Sequence, residues 1–177
     1  EGVRNVLAVT GDPPHIGDYP GSRGVYEVDA IGLVQVIERM NHGEDYAGKA
    51  IEAPTSFFTG VAVNPSADDL NAELRRFEQK IAAGAQFAMT QALFDLSYLD
   101  DFLARLGGRS PIPLLVGIWP LRSHQTAVRL HNEVPGIVVP EAVQERMRAA
   151  GADAIEAGLE LARALVAEAR EKAAGIY

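Results

Sequence analysis

Residues 57–91 read FFTGVAVNPSADDLNAELRRFEQKIAAGAQFAMTQ, and their pattern decides the fold. Phe57 to Val63 is an apolar run, and Asn64-Pro65-Ser66 after it is a loop-forming cluster, so the run reads as a strand. Leu70, Leu74, Phe77 and Ile81 then recur at four-, three- and four-residue spacing, which places them on one face of a helix. Gly84 closes that helix, and Phe87 to Gln91 forms the next short strand. Strand, helix, strand in this order implies parallel strands joined by a right-handed crossover.

The same alternation extends in both directions. Asn5 to Thr10 is an apolar, partly β-branched strand closed by Gly11-Asp12-Pro13-Pro14, and a long loop runs from there to about Val28. Asp29 can cap a helix with Ile31, Val34, Ile37 and Met40 on its apolar face and Gly43 at its end. Downstream, Ser97 with Asp100 resembles a capping box for a helix to Leu106. Leu114-Leu115-Val116 is a strand, Gly117 to Arg122 its loop and Ser123 to Asn132 its helix. Helices over Glu141 to Ala150 and Asp153 to Ala174 precede Gly175-Ile176-Tyr177, which reads as the opening of another strand. This alternation implies an α/β barrel or an open doubly wound sheet, and periodicity does not separate the two. Both put functional groups in the loops after the strands' C-terminal ends. Those ends carry Thr10-Gly11-Asp12, Asn64-Pro65, Thr90-Gln91 and Gly117-Ile118-Trp119-Pro120. Met89, Trp119, Phe57 and Phe58 are read as core residues, since aromatic and sulfur side chains near strands are mostly buried.

The 177 residues, 47% of them hydrophobic, suffice for one domain with a sizeable core. The formal charge of −8 argues against a general nucleic-acid binder, which needs a basic field. With no cysteine, disulfides, thiolate metal sites and a cysteine nucleophile are excluded, in keeping with a cytoplasmic location. His15, His42, His124 and His131 do not form a ligand pair on one helix face, so no metal is expected. No stretch is long and apolar enough to span a membrane. Glu1-Gly2-Val3-Arg4 leads straight into an apolar run without a starting methionine, and the expectation is a segment of a longer chain.

The ordered set of motifs resembles the methylenetetrahydrofolate reductase family. Asn5 to Pro14 resembles that family's fourth strand and flavin loop. Lys80 to Gln91 is similar to its lysine, its alanine-glycine-alanine turn and its strand ending in threonine-glutamine, with Phe94-Asp95 following. Pro113 to Pro120 resembles the next strand and its glycine-isoleucine-x-proline loop. The loop Pro14 to Pro20 is similar to the reductase domain of bifunctional homocysteine methyltransferase-reductases. The resemblance implies the C-terminal part of a TIM-type (βα)8 barrel, with parallel strands four to seven and the start of strand eight, as one partial FAD-linked domain over residues 1–177.

It also implies flavin-dependent reduction of 5,10-methylenetetrahydrofolate to 5-methyltetrahydrofolate, with NAD(P)H as hydride donor and a ping-pong course through bound FAD. Asp12 is the expected catalytic residue beside the flavin. Thr10, Gly11, Asp12, Asp29, Ala30, Asn64, Glu73 and Lys80 are the expected cofactor contacts, the helix start at Asp29 and Ala30 lying near phosphates or ribose. Gln91 is expected to read the pterin edge, with Gln125 and Thr126 on the folate and Leu130 flanking the nicotinamide. An arginine is common in the family where Thr10 stands, and a tyrosine where Asn64 stands. The family's glutamate that assists protonation at folate N10 belongs to the first strand, so this segment alone is expected to be inactive. Expected partners are the folate, the N-terminal half of the barrel or a neighbouring methyltransferase domain, and further copies of the chain in a homo-oligomer. The rival readings are a non-catalytic folate-binding or regulatory barrel module, and a phosphate-site barrel lyase with Gly11 and Gly117 as anion-binding turns.

Overall fold

The computed structural model describes residues 2–12, 14 and 17–177. Pro13, His15 and Ile16, which belong to the quoted flavin-loop motif and to the loop after it, lie outside the described residues. Among those described, five strands, all parallel, alternate with α-helices, as expected for part of a TIM-type barrel. The chain divides into two units, one comprising the chain up to Ala62 with Arg76–Gln86, the other Val63–Arg75 with Phe87–Tyr177.

In the first unit, β1 (Asn5–Ala8) pairs with β2 (Phe58–Val63) in a register running from Asn5 opposite Phe58 to Ala8 opposite Val61. Side chains alternate across a strand, so each strand presents two faces. Ala8, Thr59 and Val61 are buried, whereas Leu7, Val9 and Phe58 on the other face are exposed. Both faces are apolar, as in strands of parallel sheets that are covered on both sides. Helix α1 (Ala30–Asn41) buries Ala30, Val34 and Ile37; of the stripe expected from the sequence Val34 and Ile37 are buried, while Ile31 and Met40 are only half-buried. Its N-cap is Asp29, whose carboxylate accepts the Gly32 N–H at 3.0 Å. Gly43, at φ +84°, follows its end in the left-handed region that glycine enters without strain. Asn41 then fixes the entry to β2: its Oδ1 accepts from Thr55 Oγ1 and the Phe57 N–H, and its Nδ2 donates to the Phe57 carbonyl. Phe77 and Lys80 are the buried residues of helix α2 (Leu70–Ala82).

In the second unit, β3 (Phe87–Ala92), β4 (Leu114–Gly117) and β5 (Gly175–Ile176) lie side by side in chain order. Helices α3 (Ser97–Arg105), α4 (His124–Glu133), α5 (Glu141–Ala150) and α6 (Ala154–Ala169) complete it. Phe94, Leu121, Ala127, Leu130, Ile137, Val139, Met147 and Ala154 form one buried cluster. A buried aliphatic or aromatic side chain contributes roughly 1.5–3 kcal/mol, so this cluster is one substantial part of the unit's core, beside Leu99, Phe102, Leu114 and Val116. Lys172 joins α3 to the end of α6 by ion pairs to Asp100 at 2.7 Å and Glu168 at 2.6 Å. The i,i+4 pairing of Glu168 with Lys172 read from sequence is thus one arm of a three-charge group.

Three local expectations are corrected. Ser97 does not cap α3; its N–H is instead taken by the Asp95 carboxylate at 2.8 Å, and Asp100 is engaged by Lys172. Helix α6 ends at Ala169 rather than Ala174, with turns beyond it. Phe58 and Trp119, read as core, are exposed by 43% and 49%. A strand of this kind has two apolar faces and a core side chain sits on only one of them, which residue type alone cannot assign.

Candidate functional site

The second unit carries a cavity of about 320 Å³ at the C-terminal ends of β3 and β4, lined by Gln91, Ala92, Gly117, Ile118, Trp119, Pro120, Ile137 and Tyr177. The ladder slips where the two strands reach it. Met89 pairs with Leu115, but Ala92 pairs with Gly117, so three steps on β3 match two on β4. An irregularity of this type re-aims the side chain it contains. Thr90, buried, satisfies the displaced backbone. Its Oγ1 accepts the Gly117 N–H at 3.0 Å and its hydroxyl donates to the Gln91 carbonyl at 2.6 Å. The Tyr177 hydroxyl donates to the Thr90 carbonyl, and burial raises its pKa above the ordinary phenol value. The slip brings the chains so close that a Cβ at Gly117 would stand 3.1 Å from the Gln91 carbonyl oxygen and 3.2 Å from the Ala92 Cα. Glycine is therefore favoured at this strand end by close approach, not by its dihedral angles. Because the Gly117 N–H is committed to Thr90, it does not form the anion-binding turn that the lyase reading needs.

Behind this cavity the loop after β2 is tied to the loop after α4. Asn64 Oδ1 accepts from both the N–H and the hydroxyl of Ser66, at 3.1 and 2.8 Å, and Glu73 accepts the Asn64 N–H at 3.0 Å. Ser66 Oγ lies 3.4 Å from the Gly136 carbonyl. A Cβ at Gly136 would stand 3.1 Å from Asn64 Nδ2 and 3.8 Å from Gln91 Cγ. Asn64 and Glu73, expected as cofactor contacts, thus organise this loop. Of the expected substrate contacts, Gln91 lines the cavity. Gln125 is exposed on the first turn of α4, and Thr126 is half-buried with its N–H and hydroxyl on the N-cap Ser123. Leu130 is buried in the hydrophobic cluster, packed as a core residue of α4 rather than as a cavity wall.

In the first unit, Thr10, Gly11 and Asp12 are exposed just past β1, with Gly11 at φ +82°. Thr10 Oγ1 accepts the Ala30 N–H at 3.0 Å, so the first amide of α1 is already occupied. Asp29 pairs with Arg76 of α2 at 3.1 Å. The hydrogen bond from the Gly32 N–H is the largest influence on the Asp29 carboxyl and, with Arg76, holds it below its ordinary range, although burial, second in size, opposes them. Lys80 is only 7% exposed, and its Nζ donates to the Ala62 carbonyl at 2.7 Å. Among the described residues no three His, Asp or Glu side chains come together as a metal-binding group, and no helix is long and apolar enough to cross a membrane.

A family profile described as methylenetetrahydrofolate reductase matches residues 1–174. The chain belongs to the methylenetetrahydrofolate reductase family. It is similar to methylenetetrahydrofolate reductase 2 of Schizosaccharomyces pombe, 28% identical over 86% of this chain and 24% of that protein. A probable methylenetetrahydrofolate reductase (NADH) of Oryza sativa subsp. japonica is 28% identical over 94% of this chain and 29% of its own length. Methylenetetrahydrofolate reductase 1 of S. pombe is 28% identical over 79% of this chain and 22% of its own length. The chain thus spans about a quarter of the length of these relatives.

Arg76, Ile137 and Tyr177 carry no expected site role, and Trp119, expected in the core, lines the cavity instead. Arg76 gave no local signal, because its partner Asp29 lies 47 residues away. Trp119 did give one: a large aromatic between a strand end and a proline is confined to extended backbone and cannot fold back into a helix.

Proposed function

We propose that this chain supplies flavin- and folate-facing parts of a methylenetetrahydrofolate reductase, which reduces 5,10-methylenetetrahydrofolate to 5-methyltetrahydrofolate with NAD(P)H. The observation that carries this reading is Gln91, re-aimed by the ladder slip into an apolar-walled cavity. A primary amide offers one acceptor and two donors, which complements the edge of a pterin, while apolar walls suit its faces.

The residues of the first unit fit an adenine dinucleotide at its sugar better than at its phosphates. Asp29 is held ionised, so it accepts hydrogen bonds from ribose hydroxyls and repels phosphate, and the Ala30 N–H is spent on Thr10. Arg76, beside Asp29, is the cation available to the pyrophosphate. Lys80 acts from a buried position, its charge held at the Ala62 carbonyl. Asp12, exposed beyond Gly11, is assigned to the flavin side of the folate, where its carboxylate opposes electron-rich flavin. Asn64 and Glu73 hold the loop that borders the cofactor, and Gln125 and Thr126 stand at the start of α4 for the distal part of the folate. When bound, FAD supplies the hydride relay that lets NAD(P)H and the folate react in alternation. A cytoplasmic homo-oligomer, with or without a fused methyltransferase domain, belongs to the same proposal.

The test is the visible spectrum of the complete protein. A flavin band that bleaches on adding NADH or NADPH and recovers on adding methylenetetrahydrofolate is the expected result. A colourless protein that still binds folate would replace this reading with that of a non-catalytic binding module.

A further inference from the structure

Trp119 combines two properties that rarely occur together: its side chain is half exposed while its backbone is held from three sides. The Ile118 N–H donates to the Tyr177 carbonyl at 3.0 Å, immediately before it. Pro120 follows and restricts Trp119 itself to extended backbone. Leu121, next in line, is buried in the hydrophobic cluster, and its backbone lies against Gly158 of α6 so closely that a Cβ there would overlap the Leu121 carbonyl. Two residues later Ser123 caps α4. Burial would have been the cheaper fate of so large an apolar side chain. Instead it stands on an immobilised loop and borders the same cavity as the Gln91 amide.

We propose that Trp119 stacks on the planar pyrimidine ring of the folate's reduced pterin and is a specificity-determining residue for that ring. This rests on the assignment of Gln91 to the pterin edge. Gln91 reads the rim of the ring and Trp119 covers a face, so the two contacts are geometrically independent. The stem of the argument is preorganisation: a side chain ordered before binding loses little freedom when the ring arrives. Stacking of a heteroaromatic base on an aromatic side chain corresponds to roughly a 10- to 100-fold change in affinity.

Three substitutions in the complete enzyme test this. Trp119→Phe keeps an aromatic face, Trp119→Leu keeps apolar bulk without one, and Trp119→Ala removes both. Since the side chain is half exposed, none of them opens a core cavity, and flavin content reports that each variant is folded. The Leu and Ala variants are expected to raise KM for methylenetetrahydrofolate roughly 10- to 100-fold, with kcat changed less than about threefold, and Phe to recover most of the loss. A Leu variant with the wild-type KM overturns the proposal. Gln91→Ala is the companion measurement: if it leaves KM unchanged while Trp119→Leu raises it, the Gln91 assignment fails and Trp119 stands. If Gln91→Ala raises KM and Trp119→Leu does not, the reverse holds.

Discussion

Asp29 serves α1 in two ways that substitution can separate. Its carboxylate accepts the Gly32 N–H at 3.0 Å as the N-cap, and it pairs with Arg76 at 3.1 Å. Loss of an N-cap acceptor costs about 1 kcal/mol. The ion pair joins side chains that are 42% and 46% exposed, so solvent screening limits it to about 0.5 kcal/mol. Asp29→Ala should therefore destabilise by about 1.5 kcal/mol, or roughly 3–6 °C in Tm for a chain of this size. Asparagine caps a helix as well as aspartate does, so Asp29→Asn should lose only the charge, about 0.5 kcal/mol. The pH dependence has a definite sign. The folded-state pKa lies below the ordinary 3.8, so this stabilisation is complete above that value and is lost as the pH falls through the lower, folded-state pKa. Urea titrations followed by circular dichroism, at neutral pH and in steps below pH 4, measure both effects. An Asn variant as unstable as the Ala variant, or a wild-type advantage over Asn that persists unchanged in strong acid, would refute this account of Asp29.

Ser123 caps α4 through the Thr126 N–H at 3.0 Å, so Ser123→Ala should cost about 1 kcal/mol by denaturant titration, and a neutral result would show that the cap is dispensable. In a free helix interior Gly→Ala gains up to about 1 kcal/mol, yet at Gly158 the new Cβ meets the Leu121 carbonyl, and overpacking costs about 1–3 kcal/mol. The clash should win: Gly158→Ala is expected to lower stability and raise KM for the folate, and a variant as stable as wild type refutes the close packing of α6 on the Trp119 loop. Phe77 is fully buried on α2, and Phe77→Ala should cost about 3–5 kcal/mol; a loss under about 1 kcal/mol in a thermal melt would place that ring outside the core.

The elements and several of their ends could be read locally. The 3.6-residue stripe over Leu70 to Ile81, the cap at Asp29 and the limits of Glu141–Ala150 all follow from residues within one or two turns of each other, and the structure has them there. Where two nearby residues competed, the expected one lost, as when Asp95 rather than Asp100 took the Ser97 N–H at the start of α3. The order of Thr10-Gly11-Asp12, Lys80 and Thr90-Gln91 was enough to name the family, because these residues recur in sequence at two strand ends and on the helix between them.

What the chain alone could not specify is which face of each segment meets which neighbour. Tyr177 reaches Thr90 across 87 residues, Ser66 reaches Gly136 across 70, and Asp29 reaches Arg76 across 47. The slip between β3 and β4, the exposure of Trp119 and the burial of Lys80 and Leu130 are consequences of such pairings. Periodicity within a segment fixes its conformation, since backbone hydrogen bonding and side-chain direction repeat over a few residues. The partner of a side chain is selected only when strands align and helices close over them, and that step belongs to tertiary structure.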